Sequence, residues 1–143
     1  MKLTKVQFAK KETFKPLQNE IINVCNQIIL KRIVERANQS ECFSVLADET
    51  TDMSTQEQFS ICIRFIDKDK KLNESLLQFV PVVSTSILSC IGLNLSYLKG
   101  QGYDGAAAMS GRFNGVQAKI MYLYPSALYV HCASHSLNLA LSD

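Results

Sequence analysis

The sequence predicts an α/β protein built on a mixed sheet, and three observations lead there. Three strand-like runs follow one another between residues 43 and 83, joined by short polar links. Beyond residue 84, short apolar runs alternate with helical spacings, the order expected of parallel crossovers. A long helical pattern precedes both regions. After that first helix, the expected order is β-β-β-(α)-β-α-β-α.

The elements can be justified in turn. In "PLQNEIINVCNQIILKRIVERANQ", residues 16–39, Leu17, Ile21, Val24, Cys25, Ile28 and Ile29 recur at three- and four-residue steps, followed by Ile33, Val34 and Ala37. That spacing predicts an amphipathic helix with a broad face to bury, and Pro16 suits its first turn. Residues 43–47 form a short apolar run ending at an acid, as a buried strand would. "FSICIRFID" (59–67) sets Phe59, Ile61, Ile63 and Phe65 inward against Ser60, Cys62 and Arg64. "SLLQFVPVV" (75–83) is a third strand, with Pro81 near its end or on an edge. The charged link "DKDKKLN" reads as the hairpin turn between the last two. Residues 86–98 fit one short helix or two turns broken around Gly92. "NGVQAKIMYLY" has helical spacing at Val116, Ile120 and Leu123 and stops before Pro125. "SALYVHC" (126–132) reads as a further strand, and "ASHSLNLAL" opens a last apolar helix.

Totals narrow the class. At 143 residues the chain fits one domain with room for a core, and its net charge of +2 gives no sign of a nucleic-acid binder. Basic residues do gather at the start, where Lys2, Lys5, Lys10, Lys11 and Lys15 face only Glu12, so residues 1–15 read as a basic tail. The five cysteines (Cys25, Cys42, Cys62, Cys90 and Cys132) are scattered without a C-x-x-C pair. Reduced thiols, mostly buried, are expected in an intracellular protein. No apolar run approaches the roughly 18 residues of a membrane span, and no signal peptide is visible.

The stretch "GQGYDG", residues 100–105, matches G-x-G-x-x-G, yet a dinucleotide site also needs an acid about 20 residues further on. From Gly105 to Ser142 there is no Asp or Glu, and no G-K-[ST] occurs, so no nucleotide cofactor is expected. A different reading rests on two acids. Asp48 ends a hydrophobic strand, and Asp104 ends the strand-like "KGQGY". If those strands lie side by side and parallel, two carboxylates meet at one rim, where a hard divalent cation such as Mg²⁺ would relieve their repulsion. Glycines beside Asp104 would let a metal or a nucleic-acid backbone come close. A cap or turn is nonetheless the commoner role for an isolated aspartate.

Three stretches carry a resemblance: "FSVLADETTDMSTQEQFSICIRF", "KGQGYDGAAAMSGRFNGVQAKI" and "YVHCASHSLNLALSD". Together they resemble the hAT-superfamily transposase-like domain, of the domesticated type seen in zinc finger MYM-type and repressor of the inhibitor of the protein kinase-like proteins. The resemblance covers nearly the whole chain from about Phe14. It implies an RNase H-like mixed sheet with flanking helices, truncated here, in which the first and fourth strands carry metal-binding acids. Residues 16–143 would be a partial RNase H-like transposase core. Asp48 matches the first acid of the family's D-D-E set and Asp104 the second, as catalytic and metal-binding residues for Mg²⁺. Cys132, His135, Leu137, Asn138 and Leu139 match a C-x-x-H-x-L-N-L pattern. In active relatives the acids activate water and then a DNA 3′-hydroxyl.

The chain departs from that pattern in three ways. No acid lies between Asp104 and Asp143, where a Glu would normally follow a helical insertion. The segment between "VPVV" and "GLNL" looks about ten residues short; a parallel crossover normally takes a dozen or more. Ala108 stands where relatives commonly carry Asn. The expectation is a transposase-derived fragment without catalysis of its own, acting by association with DNA or protein, or as a homo-oligomer, in the nucleus. The alternative is a Mg²⁺-dependent DNA-processing enzyme completed by a partner chain or a longer product. His131, Cys132 and His135 lack the fourth ligand of a structural zinc site. Glu49 and Asp52 read as turn or solvent residues. The apolar stripe of the first helix reads as core, with a partner surface as the other option.

Overall fold

The computed structural model describes residues 4–51, 57–133 and 140–141, with side chains described from Phe14 onward. By internal contacts the chain divides into two units, residues 1–32 and 33–143. Helix α1 (Thr4–Gln39) supplies the first unit, and its last turns belong to the second. The helix runs twelve residues upstream of the expected start, so Pro16 lies inside it and not in its first turn. Residues 4–15 are basic and polar, and carry no apolar periodicity from which these turns could be read. A proline there gives up one rung of the helical ladder.

The second unit is built on five strands: β1 (Phe43–Thr51), β2 (Glu57–Ile66), β3 (Leu72–Val80), β4 (Leu98–Tyr103) and β5 (Leu128–His131). Their order in the sheet is β3-β2-β1-β4-β5. The first three form an antiparallel meander, and β4 and β5 add in parallel beside β1. This is the mixed α/β sheet that the sequence predicts. Helices α2 (Thr85–Cys90), α3 (Ala107–Ser110) and α4 (Val116–Leu123) occupy the connections.

The β2–β3 turn forms through Asp67, as the charged link suggests. Its carboxylate accepts the amides of Asp69 and Lys71 at 3.0 and 2.9 Å and the side-chain amide of Asn73 at 2.9 Å. Lys70 takes the left-handed conformation that closes the turn. The short crossover from β3 to β4 is made after all, and economically. Ser84 caps the six-residue α2, Gly92 turns at φ +98°, and a 3-10 turn at Leu95–Tyr97 leads straight into β4. Of the two readings for residues 86–98, two turns broken at Gly92 is the one observed.

One face of the sheet holds the core. Phe43, Val45 and Ala47 of β1, Ile61, Ile63 and Phe65 of β2, and Tyr103 of β4 are all buried. Leu88, Met109 and Ile120 from the three short helices are buried as well. The last turns of α1 join this layer: Val34 and Ala37 are buried, and the Arg36 guanidinium lies 5.5 Å from the Phe65 ring. Strand alternation sends Ser44, Leu46, Cys62, Arg64, Leu128 and Val130 to the opposite face, where Ser44, Leu46 and Cys62 are half-buried and Arg64, Leu128 and Val130 exposed. Two expectations fail here. The stripe Leu17, Ile21, Val24, Ile28 is exposed, because amphipathic spacing reveals that a face needs cover without revealing what covers it. No disulfide joins the five cysteines, but they are mostly exposed, with Cys62 alone half-buried, since four of them fall on turns or outward helix positions.

Candidate functional site

The register of β1 against β4 decides where the two acids stand. Val45 partners Gln101 and Leu46 partners Gly102, where the parallel ladder ends. Asp48 and Asp104 are each two residues past that last pair, Asp48 still within β1 and Asp104 just beyond the end of β4. Both therefore follow the carboxyl end of the β1–β4 ladder, the rim at which open α/β sheets commonly gather ligands. Strand β1 itself does not stop at residue 47 as expected. It continues to Thr51 through antiparallel pairing with β2, which includes Asp48 opposite Ser60. Asp48 is exposed, and Asp104 is half-buried.

The two carboxylates have different surroundings. Asp48 belongs to the face opposite the core, beside a groove of about 530 Å³ floored by Ser44, Leu46, Cys62 and Gly102. The Cys62 thiol is pushed up by partial burial first, then by the negative charges of Glu74 and Asp48. Glu74 is itself paired across the strands with Arg64, whose Nε lies 2.8 Å from its carboxylate. Asp104 turns the chain into α3: its Oδ1 accepts the Ala106 amide at 3.3 Å. Its backbone carbonyl accepts the Tyr129 hydroxyl, also at 3.3 Å. That phenol is raised above its ordinary value mainly by burial, opposed by a hydrogen bond with Ser110 and assisted by the charges of Asp104 and Cys132.

The glycines of "GQGYDG" have a concrete explanation. A Cβ on Gly100 would stand 2.5 Å from Ser44 Oγ, and one on Gly102 would stand 2.7 Å from Leu46 Cδ2. A Cβ on Gly105 would meet His131 Nε2 at 2.9 Å. These positions are bare because side chains of β1 and β5 fill the space. Gly102 and Gly105 thus admit Leu46 and His131.

Two residues that the sequence did not single out fix the second strand. Gln101 is buried and donates through Nε2 to the carbonyls of Gln117 and Ala127, at 3.1 and 2.8 Å, tying β4 to α4 and to the start of β5. Tyr129 stacks on Tyr103 with ring centroids 6.1 Å apart. The signal for both lay in strand register, since Gln101 and Tyr129 are partners in the ladder. Among the described residues, no group of three or more His, Cys, Asp and Glu side chains is placed to hold a metal ion. Cys132 donates its backbone amide to Tyr103 at 2.9 Å, while His135 and Asp52 lie outside the described residues.

A five-stranded mixed sheet with a meander, two parallel additions and flanking helices is the architecture of an α/β RNase-like domain. Residues 2–115 match the family described as "ZMYM1/FAM200, RNase-like domain", and the chain belongs to that family. Among curated proteins it is similar to the 52 kDa repressor of the inhibitor of the protein kinase of Homo sapiens, with 27% identity over 138 residues, or 90% of this chain. The Mus musculus protein of the same name matches with the same identity and coverage. The chain spans 18% of the length of these relatives.

Proposed function

We propose that the chain is a domesticated, hAT-transposase-derived RNase H-like module that works in the nucleus by association with nucleic acid or protein and does not cut DNA by itself. The observation that carries this reading is the acid pair together with its occupations. Asp48 and Asp104 each lie two residues beyond the last β1–β4 pair, and Asp104 Oδ1 accepts the Ala106 amide as a turn residue would. A two-metal phosphodiester site needs more carboxylates than two to hold ions roughly 3.5–4 Å apart. Asp48 and Asp104 would hold a single Mg²⁺ weakly, and the ion, when bound, would supply positive charge for a phosphate oxygen. The similarity to a protein named as a repressor supports a regulatory role exercised through association.

A second reading draws on the same register. Two acids aligned on neighbouring parallel strands are what a DNA-processing enzyme needs in part, and a partner chain or a longer product would supply the missing ligand. One experiment separates the two. Purified protein is incubated with supercoiled and oligonucleotide DNA in Mg²⁺ or Mn²⁺, and nicking and strand transfer are scored beside salt-dependent binding. The module reading expects no turnover. Turnover that disappears in Asp48→Ala or Asp104→Ala would overturn it in favour of the enzyme.

A further inference from the structure

The turn between α3 and α4 joins a labile sequence to a packing constraint. Asn114–Gly115 is the one Asn-Gly dipeptide in the chain. Gly115 leaves no room for a larger residue, because a Cβ there would collide with the backbone of Gly111. A glycine, having no side chain, shields its own amide nitrogen least, which favours attack of that nitrogen on the asparagine before it. We infer that Asn114 is a modification site, at which the folded protein converts asparagine to aspartate and isoaspartate with water as the only reagent. In the first step the Gly115 amide gives its proton to water and its nitrogen bonds to Asn114 Cγ. The Cγ–Nδ2 bond breaks, and that nitrogen takes a proton from water to leave as ammonia. Water then opens the cyclic imide at either carbonyl, giving aspartate or, with the chain rerouted through the side chain, isoaspartate.

The surroundings single out this asparagine. Asn114 is exposed and outside any helix or strand, and its side chain makes no hydrogen bond among the described residues. Three others are held. Asn38 donates to the Gly92 carbonyl and accepts the Asn94 amide, both at 2.9 Å. Asn73 bonds Asp67 and Arg36, and Asn94 accepts the Ser96 amide. Asn19, Asn23 and Asn26 lie within α1, where the helical ladder fixes the backbone. Asp104–Gly105 could close the same ring, but Asp104 is half-buried and its Oδ1 is engaged by the Ala106 amide. One contact opposes reaction at Asn114: the Gly115 amide donates to the Gly111 carbonyl at 3.0 Å. Opening a single hydrogen bond in a turn slows attack by about tenfold at most. The product charge is also well placed. Helix α4 starts from Gly115 with no acid in its first turn and no side-chain cap, and a carboxylate at position 114 would lie beside its positive end.

The test ages the whole chain in mildly alkaline buffer, native and in urea, and follows intact mass, peptide maps and labelling by an isoaspartate-specific methyltransferase. The native protein should gain the mass of an amide exchanged for an acid, and the label should appear at residue 114 before any other asparagine. Its rate should fall below that of the urea-unfolded chain by no more than about tenfold. Asn114→Gln, whose longer side chain closes a ring far more slowly, should abolish the early mass gain. An unchanged circular dichroism spectrum for that variant shows that the fold is kept. A native chain whose residue 114 keeps its amide while the unfolded chain reacts, or in which another asparagine converts first, would refute the inference.

Discussion

Tyr103 has its hydroxyl fully buried with no hydrogen-bond partner among the described residues, and burial raises its pKa well above the ordinary phenol value. An unpaired buried hydroxyl costs free energy without return, whereas its ring stacks on Tyr129. Tyr103→Phe should therefore be neutral or stabilise the protein by up to about 1 kcal/mol in urea unfolding; a loss of that size would reveal a partner for the hydroxyl. Gln101 differs in that its Nε2 is paired while its buried Oε1 has no partner among the described residues. Both hydrogen bonds from its amide are to backbone carbonyls, one of them buried, so Gln101→Leu should destabilise by about 1–3 kcal/mol in the same assay. Glycine positions rank by what they meet. At Gly115 a Cβ would lie 2.4 Å from the backbone nitrogen of Gly111, which cannot rotate away, while at Gly102 it meets only a leucine methyl. Gly115→Ala should cost roughly 1–3 kcal/mol and Gly102→Ala less. The reverse ranking by chemical denaturation would contradict the packing described.

The β2–β3 turn shows how one side chain organises an element. Asp67 is held below the ordinary carboxylate range chiefly by the Lys71 amide, then by Asn73, opposed by burial, with the Asp69 amide and the Arg36 charge assisting to a lesser degree. A folded-state pKa below the unfolded one means that the ionised form contributes stability above the unfolded value of about 4. That contribution is lost as the pH falls through the lower folded value. Asp67→Asn should flatten the stability–pH curve in this acid window and leave the slope near neutrality unchanged. A variant curve parallel to the wild type below about pH 4 would count against the turn's role.

These elements also show what could be read from sequence. The alternation in β2, the charged turn, the 116–123 helix stopping before Pro125 and the break at Gly92 were all legible, because each rests on local backbone preference. The upstream half of α1 was not, since polar helix turns leave no periodic trace. Nor was the extension of β1 to Thr51, where pairing with β2 overrides a polar stretch that reads as a turn. The purpose of the glycines was hidden for a similar reason: Ser44, Leu46 and His131 come from other strands, and spacing within one segment does not report them. The acids themselves stood out by residue type, but their alignment depends on a parallel register set far away in sequence.

At the scale of the molecule, the second unit is a sheet with its core on one face, and Asp48 stands on the other. Meander and crossovers bring β4 beside β1 in parallel, with Leu46 opposite Gly102 and positions 48 and 104 each two residues further on. Membership of the RNase-like family accounts for that topology. Whether the pair acts as a unit is the central question, and manganese relaxation measured by NMR tests it most directly. Mn²⁺ added to isotope-labelled protein should broaden the amides around Asp48 and Asp104 together, and either Asp48→Ala or Asp104→Ala should abolish the broadening at both. Broadening at one segment that survives removal of the other acid, or none at either, would contradict a shared site.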